Sequence, residues 1–290
     1  MKAISSFLYG FSAAIKSLRM LLLIYLSYLV IAILLAIPFY GLIRSAAGNS
    51  QLPDSLMNGF DATAIRELLD NGGKAFGFYL KAFMPWIFAF LLFQVYLSGG
   101  IFSWVSNPRG KFTISFFHQH GRKYFWRYLK LAVYFLIIHL IIGLILYLPY
   151  LLTTGSREGL TDQQIVCPFL FIMGGHLILL VFVFLLADLV KSRLFEQDSR
   201  KVFKTIFKCL KMAFRRFFSF YFLGLLLLVF PLVLFAGFYL IRSSILVNTA
   251  GTILFIFVIQ QVMIFLRIFL RVWRLAATYS YYLKISAGSK

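Results

Sequence analysis

Two imidazoles two residues apart, His118 and His120, have the donor chemistry of a metal pair. On a helix, however, side chains two apart point about 200° away from each other. No cysteine or carboxylate stands beside them to complete a ligand set, so no metal site is expected there. The histidines lie in KFTISFFHQHGRKYFWRYLK, which interleaves lysine and arginine with aromatic rings and holds no acid. That mixture suits base stacking on a nucleic acid, and it equally suits a helix lying at a membrane surface. The elements around the stretch decide between the two.

Hydrophobic residues make up 61% of the 290-residue chain and charged residues 13%, against about 45–50% and 25% in soluble domains. Six apolar runs, near 20–43, 82–105, 131–152, 168–190, 217–241 and 252–275, are each long enough to cross a bilayer as a helix. None alternates apolar with polar as barrel strands do. The expected fold is an all-α membrane protein in which residues 1–290 form a single integral membrane domain of six transmembrane helices.

The formal charge of +20 is unevenly placed. Lysine and arginine crowd the chain before Leu21, from Arg109 to Lys130, from Lys191 to Arg216 and from Arg267 onward, and are sparse in the alternate connections. This is the positive-inside pattern, and it places both termini in the cytoplasm. The basic charge is thereby explained by lipid, and no nucleic-acid partner is expected. Cys167 and Cys209 fall on opposite sides of the membrane in this orientation and should not pair.

The basic stretch also recurs. Segments beginning at Ile4, Ile114 and Val202 each run from an amphipathic piece through a basic junction into a span. The spacing predicts three hairpins, each preceded by a basic amphipathic cytoplasmic surface helix. In the second segment Ile114, Phe117, Gly121, Tyr124, Phe125 and Tyr128 share one face, expected in the acyl boundary, opposite Lys123, Arg127 and Lys130. In the third, Val202, Phe203, Ile206, Leu210, Ala213 and Phe217 oppose Lys204, Lys208, Lys211 and Arg215. These cations, with Arg193, are the expected contacts to anionic headgroups. Asp61 reads as the N-cap of a short helix over residues 62–69 that ends at Asn71-Gly72-Gly73 and rests as a cap on the outer side.

Within the spans, His139, His176, Gln260 and Gln261 come to similar depth and are expected to form a polar cluster, holding the bundle together or facing a ligand. Asp188, the one acid inside an apolar run, needs a cation, and Arg267 or Arg271 should supply it, leaving Arg193 for lipid phosphates. No acid lies near mid-membrane, which is not the usual equipment of proton- or sodium-coupled transport. No nucleophile elbow, zinc motif or phosphate loop occurs, so no cofactor and no enzymatic activity are expected.

The succession SLMNGFD, LSGGIF, FFHQHGRKYFWRYLKLA, LADLVKSRLFEQDSRKVFKTIFKCLKMAFRR and QQVMIFLRIFLRVWRLAATYS resembles an uncharacterised family of bacterial six-transmembrane-helix proteins. It is more weakly similar to the membrane domains of glycerophosphodiester phosphodiesterases. Leu189 departs from the tyrosine usual in that family after the aspartate. The resemblance implies six spans in a bacterial inner membrane and brings no catalytic residue with it. The functional expectation is a non-enzymatic multi-pass protein that engages anionic lipids, and a membrane-protein partner or a second copy, through its basic helices. The alternatives are a channel or carrier for a small anion or lipid, and a lipid-modifying enzyme.

Overall fold

The computed structural model describes residues 2–47, 61–107, 110, 112–155, 161–246 and 249–287. Every regular element among them is helical: α1 (Lys2–Ile15), α2 (Leu18–Ala47), α3 (Ala62–Val105), α4 (Ile114–Gly155), α5 (Asp162–Glu196), α6 (Val202–Arg215), α7 (Phe217–Ser243) and α8 (Ala250–Ala287). Six of these, α2, α3, α4, α5, α7 and α8, are long and apolar enough to cross a membrane. Phe171 and Phe218 remain 85% and 87% exposed and stand among dozens of other uncovered large apolar side chains. Water would not tolerate that much apolar surface; the chain has the make-up of a multi-pass membrane protein. Five helices carry an internal proline, at Pro38, Pro85, Pro149, Pro168 and Pro231, as lipid-embedded helices permit.

Two of the expected surface helices are separate elements. Ser17, whose hydroxyl donates to the Ala14 carbonyl at 2.6 Å, marks the turn between α1 and α2, and Arg216 interrupts the chain between α6 and α7. The second is not separate, because α4 carries the basic stretch into the apolar run as one 42-residue helix. No proline or glycine breaks Lys123–Lys130, so nothing stops propagation.

The short helix expected over residues 62–69 is also replaced by a longer one. Asp61 Oδ1 accepts from the Thr63 and Ala64 amides at 2.9 and 3.1 Å, as an N-cap should. The helix it starts then continues through Gly72 and Gly73 to Val105. A mid-helix glycine costs only about 1 kcal/mol relative to alanine, which a helix already nucleated absorbs. The connection at 48–60, part of the expected outer loop, lies outside the described residues.

The chain divides into two compact units. The first comprises Met1–Ser17, Val95–Phe230 and Arg271–Lys290; the second comprises Leu18–Gln94 and Pro231–Leu270. The first holds every buried polar or charged side chain among the described residues, from Ser6 to Ser280. Its centre is aromatic, with Phe102, Tyr124, Tyr128, Phe195 and Tyr279 meeting at ring separations of 4.9–6.2 Å. There α1 lies against the end of α8: Trp273 Nε1 donates to the Phe7 carbonyl at 2.9 Å and Lys2 Nζ to the Lys284 carbonyl at 2.9 Å. Gly10 makes this approach possible, since a Cβ there would sit 2.7 Å from the Ala277 nitrogen.

Candidate functional site

The chemistry of the first unit gathers where α4, α5 and α8 bring charged residues together. Asp188 of α5 is 1% exposed. Lys191, one turn on, donates to Oδ1 at 3.0 Å, and Arg274 of α8 places Nε 2.8 Å from Oδ2, an ion contact bent away from straight hydrogen-bond geometry. The expected partner was Arg267 or Arg271. Arg271 instead donates to Ser98 Oγ at 3.2 Å, and Arg267 is exposed. Arg267, Arg271 and Arg274 share one face of α8, and the packed level falls at the last of the three. Ser192 and Tyr128 tie the same turn of α5, donating to the Asp188 and Lys191 carbonyls.

A second carboxylate, Asp198, stands in the turn after α5 with φ +45°, a left-handed backbone that aspartate tolerates better than most residues. Arg127 donates to its Oδ1, Lys123 Nζ lies 3.2 Å from Oδ2, and the Tyr124 hydroxyl donates to Oδ1 at 3.1 Å. These partners, Arg127's hydrogen bond foremost, hold the carboxyl down to about 2 against the opposing effect of desolvation. Lys123 and Arg127, expected at headgroups, are thus engaged by Asp198; Arg127 keeps only 12% of its side chain exposed, whereas Lys123 stays half exposed. Arg193 is engaged too: Nε donates to Gln197 Oε1 at 3.1 Å, and a terminal nitrogen reaches Met212 Sδ at 3.0 Å. Lys130 is exposed.

The aromatic face of α4 also turns the other way from expectation. Phe117, Gly121, Tyr124 and Tyr128 are buried in protein, while Ile114 is exposed. A Cβ on Gly121 would meet the Tyr96 ring at 2.8 Å. His118 and His120 take separate partners, Tyr96 and the Phe116 carbonyl.

Helix α6 has three faces where the sequence suggested two. Val202, Thr205, Ile206, Cys209 and Ala213 pack against protein. Phe203, Phe207 and Phe214 are exposed, centred about 120° around the helix from that buried stripe at 100° per residue. Lys204, Lys208, Lys211 and Arg215, also exposed, centre about 90° further on. Burial pushes the Cys209 thiol up to about 12, with Arg193 offsetting part of the effect, so it stays protonated and inert. Neither cysteine is paired. On α1 the corresponding packing face is made of small residues, Ala3, Ser6, Gly10, Ala13 and Ala14, and the exposed apolar stripe is Ile4, Leu8, Phe11 and Ile15.

The intramembrane polar residues divide into separate pairs. His139 and His176 meet in a tilted contact at 5.0 Å between ring centres, and His176 Nδ1 is 3.1 Å from the Tyr147 hydroxyl. In the second unit Gln261 Oε1 accepts from the Tyr25 hydroxyl at 2.9 Å, and the Tyr28 hydroxyl donates to Gln94 at 2.7 Å. Gln260 is exposed. Tyrosine was the missed partner in both units; among so many aromatic residues it carried no distinguishing spacing.

No family model, curated protein or solved structure matches this chain.

Proposed function

We propose that the protein is a non-enzymatic, multi-pass component of a bacterial inner membrane that gathers anionic lipids on its cytoplasmic face. Its spans form three hairpins, both termini lie in the cytoplasm, and α6 is the principal lipid-binding element. The observation that carries this reading is the arrangement of faces on α6. One stripe is fixed to the protein, the Phe203, Phe207 and Phe214 stripe is free to enter acyl chains, and the neighbouring Lys204, Lys208, Lys211 and Arg215 stripe lies where phosphates would be. A helix held at its own protein surface with apolar and cationic faces side by side is the geometry of interfacial binding. Each such cation near an anionic surface contributes about 1 kcal/mol.

Native mass spectrometry after release in mild detergent tests it. The parent should retain phosphatidylglycerol or cardiolipin, and a variant with Lys204, Lys208, Lys211 and Arg215 changed to Gln should lose most of it. Changing Lys123 and Arg127 to Gln should leave retention intact, because both cations already face Asp198. Equal retention by the four-site variant and the parent would overturn the proposal.

A further inference from the structure

The second unit contains a half-open cavity of about 360 Å³ between α2, the middle of α3 and α8. Its size is at the lower end of ligand pockets, about 300–1,000 Å³, enough for a ring and short substituents rather than a whole phospholipid. Tyr25 and Tyr28 of α2 form one wall and Phe83, Trp86 and Phe90 of α3 another. Among the described residues, no lysine, arginine, aspartate or glutamate lines it. An ion placed there would lose its hydration without gaining a counter-charge, so the occupant is neutral.

One polar group is offered to that occupant. Gln261 lines the cavity, and its Oε1 already accepts from Tyr25. The carboxamide nitrogen has no acceptor among the described residues. In hydrocarbon an amide donor without an acceptor is costly, and aromatic walls favour a flat partner by offset or edge contacts. Pro85 lies between Phe83 and Trp86 on the same helix, so the aromatic wall is carried by a segment whose backbone hydrogen bonding is already interrupted. An acyl chain would satisfy the walls and leave the amide unpaired.

We infer that this cavity binds a neutral, membrane-dissolved ring compound bearing a carbonyl acceptor, with the carbonyl on the Gln261 amide and the ring between the α2 and α3 aromatics. Quinone-type head groups belong to this chemical class. The inference concerns binding and invokes no electron transfer. It is independent of the proposal for α6, since the residues involved lie in the other unit.

Ubiquinone-1 titrated into the full chain in nanodiscs of neutral lipid, followed by tryptophan fluorescence, tests it. Saturable quenching is expected, with the saturable part lost in Trp86→Phe and the midpoint raised at least tenfold in Gln261→Leu. Hexadecane should not compete. Should Gln261→Leu fail to fold, Ala32→Phe fills the cavity without touching the Tyr25–Gln261 bond and should abolish saturation. Quenching that rises linearly without saturating, or that is unchanged by Gln261→Leu and by Ala32→Phe, overturns the inference. Competition by hexadecane also overturns it, by showing an acyl-chain groove.

Discussion

The two units solve the burial of polar groups in opposite ways. The first pairs charge with charge, burying Asp188 against Lys191 and Arg274 and holding the half-exposed Asp198 against Lys123 and Arg127. The second uses neutral pairs, Tyr25 with Gln261 and Tyr28 with Gln94, and leaves a cavity beside them. Ionic pairs are rigid in their demands, because removing one partner strands the other. Phenol–amide pairs tolerate rearrangement, since either end of the amide can serve. The contrast teaches that the first unit should be the more sensitive of the two to the loss of a single partner.

Four experiments break or sharpen that contrast. The largest effect is expected for Asp188→Ala, which leaves Lys191 and Arg274 without their carboxylate. Losing one partner of a buried pair costs about 3–5 kcal/mol, and the lower figure applies because Arg274 is partly exposed. Thermal unfolding in detergent measures it; a loss below about 1 kcal/mol, the level of a surface pair, would remove the distinction between the units. Next comes glycine. Gly10→Leu must displace Ala277, at about 1–3 kcal/mol for overpacking, and should free α1, seen as faster amide exchange over residues 2–15. Gly237→Ala, where nothing lies within 4 Å, should be neutral or stabilising by up to about 1 kcal/mol through helix propensity.

The third is a pH effect. The Asp198 carboxyl is held at about 2 in the folded chain, below its ordinary value of about 3.9. Its contribution is therefore complete above pH 4 and is lost as the pH falls through 2. Melting curves of the parent and of Asp198→Asn should differ at pH 6 and converge near pH 2. The gap should be small, because Asp198 is more than half exposed and solvent screens it. The smallest effect is expected in the second unit: Tyr25→Phe should cost about 0.6 kcal/mol, the average for a membrane hydrogen bond. A cost similar to that of Asp188→Ala would make the second unit as rigid as the first.

The six apolar helices were legible because length and continuous hydrophobicity mark them without reference to any neighbour. The need of Asp188 for cations was legible for the same reason: a lone acid in an apolar run must be paired. Which cation it takes was not. Arg271 and Arg274 share a face one turn apart, and depth counted along the sequence is uncertain by about a turn. The faces of α4 and α6 were unreadable in another way. Tyr124 and Tyr128 look the same in sequence whether they meet lipid or protein, because both surroundings are apolar. Only packing reveals that Phe203 and Phe207 face outward while Ile206 and Cys209 face the core. The small residues of α1 were a usable sign, since Ala3, Ser6, Gly10 and Ala13 recur at helical intervals. That stripe marks a close helix contact rather than a membrane surface.

The clasp between α1 and the end of α8 has a consequence for how the protein is made. Phe7 and Trp273 are 266 residues apart in the chain. With ribosomes adding about 5–20 residues per second, α1 waits tens of seconds for the surface it rests on. Through that interval its Gly10 face has no Ala277 to cover it, and α8 is the helix that closes the unit. A nascent chain stopped before Trp273 would present an undocked α1 to the cell's proteases, so this contact marks apart the chains whose α8 has emerged.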